Sequence, residues 1–231
     1  GDAYCASNNK ITTLDTIGDV GISTSVTIGR DGLYIISYWD YYNRDLKVLH
    51  CGTLDCTSGN TITVVATDAG YLGYNSITIG SDNLPVISYR AYNINNHLNV
   101  IHCGNADCTS GNTITTVDSS GNAGEYNSIS IGVDNKPIIS YYDANYGVLN
   151  ILHCGTVGCT SGNVISSVSS GGYVGQYTSI TIGSDNLPIV SYYDTTYMDL
   201  GVIHCGVLDC TTNKIITTLD SGGVSSNGTF V

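Results

Sequence analysis

Residues 75–117 read NSITIGSDNLPVISYRAYNINNHLNVIHCGNADCTSGNTITTV. Four stretches in it, Asn75–Gly80, Pro85–Tyr89, Leu98–Cys103 and Asn112–Val117, are short and rich in Ile, Val, Thr and Tyr. Gly, Asn, Asp and Ser separate them. Branched and aromatic side chains suit a pleated surface and the small polar residues suit turns, so the stretch reads as four strands, A to D. Asp82-Asn83 closes an A–B hairpin, a longer polar loop joins B to C, and the Cys103–Cys108 loop joins C to D. Strands B and C are apolar on both faces, since the adjacent Val100 and Ile101 point opposite ways. A sheet with one wet face would alternate apolar and polar residues, so this one has to be covered on both sides.

The same unit recurs along the chain. Cys-Gly begins at Cys51, Cys103, Cys154 and Cys205, at spacings of 52, 51 and 51, and a second cysteine follows at Cys56, Cys108, Cys159 and Cys210. Ile-Ser-Tyr begins at Ile36, Ile87 and Ile139, and returns as Val-Ser-Tyr at Val190. Four antiparallel strands in a repeat of this length are the mark of a β-propeller blade. A row of β-sandwiches is the alternative, but a unit of this size is short for a core of its own. The expected fold is all-β, with at least four blades: residues 1–22 a partial repeat (strand D and linker), then 23–74, 75–126, 127–177 and 178–231, the last carrying the start of a further strand, all in one domain. A strand D at Lys10–Leu14 is surplus to a four-bladed ring. It fits a longer propeller, an edge strand donated to another subunit, or an extra edge strand of this one.

The chain has 231 residues, of which 7 are basic and 19 acidic, for a net charge of −12. No Lys/Arg cluster exists to neutralise phosphates, which argues against nucleic-acid partners. No run of about 18 apolar residues exists, so no membrane-spanning helix is expected. A hydrophobic share of 42% is too high for a disordered chain.

Each Cys-x4-Cys loop could be a disulfide or half a zinc site. Zinc needs a second pair nearby, whereas these pairs lie a blade apart, so four disulfides are expected and no metal or cofactor. Bridges in that number imply an oxidising compartment, hence a secreted or surface protein. His50, His102, His153 and His204 each precede a first cysteine and read as hydrogen-bonded strand residues. Cys5 is the odd ninth cysteine; it aligns with the second cysteine of a pair, whose partner would stand just before Gly1.

The B–C loops open with Tyr38-Trp39-Asp40, Tyr89-Arg90-Ala91, Tyr141-Tyr142-Asp143 and Tyr192-Tyr193-Asp194. The D–A segments add Tyr71, Tyr74, Tyr126, Tyr173 and Tyr177 on the same side. Tyr with Asn and Asp suits saccharides, by ring stacking and hydroxyl hydrogen bonds, and equally suits protein contacts. The repeated Tyr and Asp also suit packing and turn capping. Candidate binding residues are Tyr41, Tyr42, Tyr92, Tyr146 and Tyr197, with Trp39, Asp40, Asp143 and Asp194. No nucleophile elbow, phosphate loop or zinc-protease motif is present, and Glu125 is the only Glu. Asp40, Asp143 and Asp194 are equivalent positions, not an acid/base pair of unlike environment. No catalytic residue is expected.

The phrase ISYYD…L.V.HCG…C.SGNTITTVDS resembles a family of tandem repeats in secreted and cell-surface bacterial proteins, similar in plan to lectin propellers. The resemblance implies a propeller, and no catalytic residue is carried over from it. The expectation is thus a non-enzymatic extracellular scaffold or adhesive protein, with a filament subunit that contacts copies of itself or another surface protein as its specific form. A lectin-like, glycan-binding propeller is the alternative.

Overall fold

The computed structural model describes residues 10–67, 69, 73–92, 96–168 and 172–221. Cys5, Tyr71 and the strand expected to begin beyond Ser221 lie outside the described residues. Among the described residues sixteen strands form four antiparallel sheets of four, each in simple sequence order. The first blade holds β1 (Val20–Ile28), β2 (Tyr34–Asp40), β3 (Asp45–His50) and β4 (Thr61–Ala66). The second holds β5 (Asn75–Ile79), β6 (Pro85–Ala91), β7 (His97–His102) and β8 (Thr113–Asp118). The third holds β9 (Ala123–Ile131), β10 (Pro137–Asp143), β11 (Val148–His153) and β12 (Val164–Ser167). The fourth holds β13 (Val174–Ile182), β14 (Pro188–Asp194), β15 (Asp199–His204) and β16 (Ile215–Asp220). The first strands β1, β5, β9 and β13 pack on one another in series and so face the axis. This is the expected propeller architecture.

The two-sided apolar pattern of strands B and C is explained by blade stacking. Trp39, Leu46 and Val48 of the first blade pack on Ile77, Ile87 and Ile101 of the second. Val86, Leu98 and Val100 of the second pack on Ile129, Ile139 and Leu152 of the third. Ile138, Leu149 and Ile151 of the third pack on Ile180, Val190 and Ile203 of the fourth. Burying each such side chain stabilises by about 1.5–3 kcal/mol, so the seams between blades are the core.

Polar bonds fix the angle of each seam. Ser37 Oγ donates to Asn75 Oδ1 at 2.5 Å and Ser88 Oγ to Asn127 Oδ1 at 2.6 Å, while Thr178 Oγ1 donates to Ser140 Oγ at 2.7 Å. Further out, Thr63 Oγ1 donates to the Asp107 carbonyl, Thr115 Oγ1 to the Gly158 carbonyl and Ser166 Oγ to the Cys210 carbonyl. All are buried or half-buried, where an unmade bond costs about 1–3 kcal/mol.

All four expected disulfides form, Cys51–Cys56, Cys103–Cys108, Cys154–Cys159 and Cys205–Cys210. This chemistry belongs to an oxidising environment. In the last three repeats the histidine before the pair bonds the aspartate of its own A–B turn: His102 to Asp82 at 2.6 Å, His153 to Asp134 at 2.9 Å and His204 to Asp185 at 2.6 Å; in the first, His50 Nδ1 bonds Asp107 of the next blade at 2.6 Å, with Asp31 Oδ2 3.1 Å from its Nε2. Among the described residues no His, Cys, Asp and Glu cluster could hold a metal, and no helix is long and apolar enough to cross a membrane.

Lys10–Leu14, expected as a strand, forms none. A strand D needs a strand C beside it, and no described residue supplies one. The segment still occupies a strand D position. Leu14 packs on the cluster of Tyr38, Leu49, Cys51 and Cys56. The Tyr38 hydroxyl donates to Asp15 Oδ2 at 2.9 Å, as the Tyr141 hydroxyl donates across a seam to Asp118 Oδ2 at 2.6 Å.

Candidate functional site

The axial end formed by the D–A segments is built by a repeated irregularity. In β9, Ser128 pairs with Ser140 and Glu125 with Tyr142, so Tyr126 and Asn127 together face Tyr141 alone. In β13, Tyr177 and Thr178 face Tyr192 in the same way, and in β1, Ser23 and Thr24 face Tyr38. These are β-bulges, which bend a strand and re-aim a side chain. The bulged residue takes a left-handed conformation each time, with φ of 51° at Ser23, 53° at Tyr126 and 52° at Tyr177. For a bulky residue such backbone is strained and has to be held by its surroundings. The holding contacts are visible: Asn127 Nδ2 donates to the carbonyls of Gly124 and Tyr74, and Asn75 Nδ2 to that of Ser23.

The bulges gather tyrosines from three blades. Tyr126 lies between Tyr74 and Tyr177, with ring centroids 4.7 and 4.4 Å away, and the rings are tilted. Tyr142 and Tyr193 stand 6.4 Å from Tyr126 and Tyr177 respectively. Ser23, Tyr74, Tyr126 and Tyr177, with residues following each, line an axial cavity of about 380 Å³. Burial raises the Tyr126 hydroxyl well above the ordinary phenol range, helped by its bonds with Tyr74 and Tyr177, so it stays protonated and able to donate.

The sole glutamate sits beside this cluster. Glu125 Oε1 lies 3.2 Å from Arg90 Nη2, across the seam between the second and third blades. Burial pushes the Glu125 carboxyl up; the Arg90 charge opposes this and the Asp143 charge adds to it. Arg90 also donates to Asn122 Oδ1 at 2.6 Å and lies over the Tyr92 ring, 5.5 Å from its centroid.

The residues named from sequence divide into two groups. Tyr41, Tyr42, Tyr92, Tyr146 and Tyr197 are exposed in the B–C loops. Trp39, Asp40 and Asp143 are buried, and Asp194 is half-buried. Asp143 Oδ1 accepts from the Asn145 and Tyr146 amides, and Asp194 Oδ1 from those of Thr196 and Tyr197. Asp40 accepts from the Asn43 amide and lies 2.8 Å from Lys47 Nζ. These aspartates hold the loop turns and do not face a ligand together. Trp39 closes a seam: a Cβ at Gly73 would lie 2.5 Å from its ring, so only glycine fits opposite it. Sequence reasoning placed Tyr74, Tyr126 and Tyr177 on this side of the molecule but not as a cluster. The signal was their identical position in three successive repeats. The Arg90–Glu125 pair left no such signal.

No family model and no curated protein matches the chain. Solved structures do. An α-L-arabinofuranosidase from Lactobacillus brevis is similar with a TM-score of 0.58 and 11% identity, over 88% of this chain and 74% of that one. A thermostable family-43 glycoside hydrolase is similar with a TM-score of 0.55 and 12% identity, over 94% of this chain and 78% of that one. At such identities the likeness is one of fold. It nevertheless overturns two expectations, the filament scaffold and the absence of enzymatic activity. The architecture read from sequence as a passive scaffold is that of carbohydrate-hydrolysing enzymes, and an absence of known motifs does not exclude such chemistry.

Proposed function

We propose that the protein processes carbohydrate in an oxidising, extracellular setting, with the saccharide held at the axial end. The observation that carries this reading is the cavity lined by Tyr74, Tyr126 and Tyr177, with Glu125 preceding Tyr126 in β9. Tilted rings offer apolar faces to sugar carbons, and the protonated Tyr126 hydroxyl donates to sugar oxygens. Glu125 is the proton donor for a leaving glycosidic oxygen: burial keeps its carboxyl protonated to higher pH than usual. Asp143 adds its charge to the push on Glu125 from the loop turn that it holds. The exposed loop tyrosines Tyr42, Tyr146 and Tyr197 extend the contact surface outward from the axis. The glycoside hydrolases of like fold and the disulfides support this reading, as does the resemblance of the repeat phrase to secreted bacterial repeats.

The test is hydrolysis of aryl α-L-arabinofuranosides, aryl β-xylosides and a polysaccharide panel. Glu125→Gln keeps a hydrogen-bond acceptor for Arg90 but has no proton to give, so kcat should fall by roughly 10²–10⁴ with the fold unchanged. Tyr126→Ala should weaken saccharide binding by about tenfold, the value of one stacked ring. Absence of both hydrolysis and binding at millimolar sugar, with the unaltered protein, would refute the reading.

A further inference from the structure

The two ends of the blade series leave matching faces bare. Val26 of the first blade occupies the position of Ile77, Ile129 and Ile180, yet it is 62% exposed where they are 5%, 7% and 7% exposed. At the other end, Leu219 of the fourth blade is 62% exposed, where Val65 and Val168 at the equivalent position are 7% and 2% exposed and Val117 is half-buried. Leu200 and Val202 are half-buried, whereas Leu98 and Val100 of the second blade are fully buried. The terminal inner strands β1 and β13 do not pack on each other as the intervening pairs do. The described blades therefore form an arc with an apolar gap between its ends.

The polar set of a seam is also present, in two halves. On the fourth blade, Ser191 and Thr217 hold the positions of Ser37 and Thr63, which donate to the next blade. Neither makes such a bond among the described residues. On the first blade, Thr24 holds the position of Asn75 and Thr178, the partners across a seam, and it is exposed. The outer part of that blade is already covered where a preceding strand D would lie, by Leu14 and by Asp15 bonded to Tyr38. What remains bare is the area that strands A, B and C of one more blade would cover.

We infer that the gap is the seat of one further blade of this same repeat, which closes the propeller and uses Lys10–Asp15 as its outermost strand. The occupant is specified by the seam itself: apolar residues at the Val26 and Leu200 levels, a serine to meet Thr24, a threonine or asparagine to meet Ser191, and a carbonyl for Thr217. The matched hydrolases are longer than this chain, which covers 74% and 78% of them, so the architecture has room for another unit.

The test compares the 231-residue chain with the same chain continued after Val231 by a copy of residues 181–205. The added stretch completes strands A to C and ends on a first cysteine. The expected result is a higher Tm, lost binding of a hydrophobic dye, and a disulfide between Cys5 and the added cysteine by peptide mass. An unchanged Tm and dye signal, with no disulfide between Cys5 and the added cysteine, would overturn the inference. A second comparison needs no added chain. In the 231-residue protein, Ile77→Asp should lower Tm by about 10 °C and Val26→Asp by far less, because only the first side chain is buried. Equal losses, or a dimer in which Val26 is protected, would show the face to be covered already and would also overturn it.

Discussion

Lys47 is the one lysine buried in the first blade, and its partners explain why it can be there. Its Nζ lies 2.8 Å from Asp40 Oδ2 and 3.3 Å from Asp15 Oδ2. Burial alone would raise both carboxyls. At Asp15 the Ile17 amide, the Tyr38 hydroxyl and Lys47 outweigh it, and at Asp40 Lys47 and Asn43 do so. Both acids are thus held below the ordinary carboxylate value. Their stabilising contribution is present above the unfolded-state pKa near 3.8 and is lost as pH falls through the lower folded values. Glu125 has the opposite sign: its raised carboxyl favours the fold below its unfolded value, and that contribution is lost as pH rises through the folded one. Lys47→Met leaves the buried Asp40 and the half-buried Asp15 carboxylates without their cation, so it should destabilise by about 3 kcal/mol at pH 7 in urea unfolding. The deficit should shrink toward pH 3, where the acids protonate; a deficit independent of pH would contradict the assignment. None of this triad could be seen in the sequence, because Asp15, Asp40 and Lys47 meet only when the N-terminal segment lies against the blade. The same holds at the seams, where Trp39 faces Gly73 and Arg90 faces Glu125. Each pair joins residues about 35 positions apart whose types change from blade to blade, so the repeat pattern hides them.

At the level of elements, strands were legible because branched residues and turn signals alternate so regularly. Strand A was expected over Asn75–Gly80 and is Asn75–Ile79; strand D was expected over Asn112–Val117 and is Thr113–Asp118. The bulges at Tyr126 and Tyr177 were not legible, since no glycine marks the left-handed residue; at Tyr126 the neighbouring Asn127 ties the bulge to the Gly124 and Tyr74 carbonyls, contacts that form only in the fold. The Cys-x4-Cys loops were legible in full, because spacing and repetition together leave few alternatives. Each loop closes with the second cysteine in a left-handed conformation, with φ of 52° at Cys108 and at Cys159. An asparagine braces the first three loops: Asn60 Nδ2 donates to the Cys56 carbonyl, Asn112 Nδ2 to that of Cys108 and Asn163 Nδ2 to that of Cys159. With that brace retained, replacing Cys154 and Cys159 by Ser should cost only the loop-closure entropy, about 2 kcal/mol for so short a loop. Urea denaturation of the double variant reads this directly. A loss well beyond that figure would mean that the buried sulfurs matter chiefly as packing.

For the whole molecule, the arrangement of burial predicts where stability lies. Each blade is tied mainly to its neighbours, so stability is a sum of blade and seam contributions and need not be uniform. The second and third blades have a packed seam on each face. Their middle strands β6, β7, β10 and β11 hold the most deeply buried backbone, from Val86 to Leu152. The first blade has one full seam and a partial cover from the N-terminal segment, and the fourth has one full seam only. Every residue of β16 is exposed, although its ladder to β15 is complete from Gly201–Thr218 to His204–Ile215. Hydrogen bonds without apolar cover open at small free-energy cost, so the ladder alone does not protect these amides. Native-state hydrogen exchange on the 231-residue chain should therefore rank amide protection as β6, β7, β10 and β11 first, then β2 and β3, then β14 and β15, with β16 fastest. The ranking separates two kinds of stability. If the disulfides set it, the four blades would protect alike, since each carries one bridge in the same loop. If seams set it, protection follows the number of covered faces, and blades two and three exchange together and last.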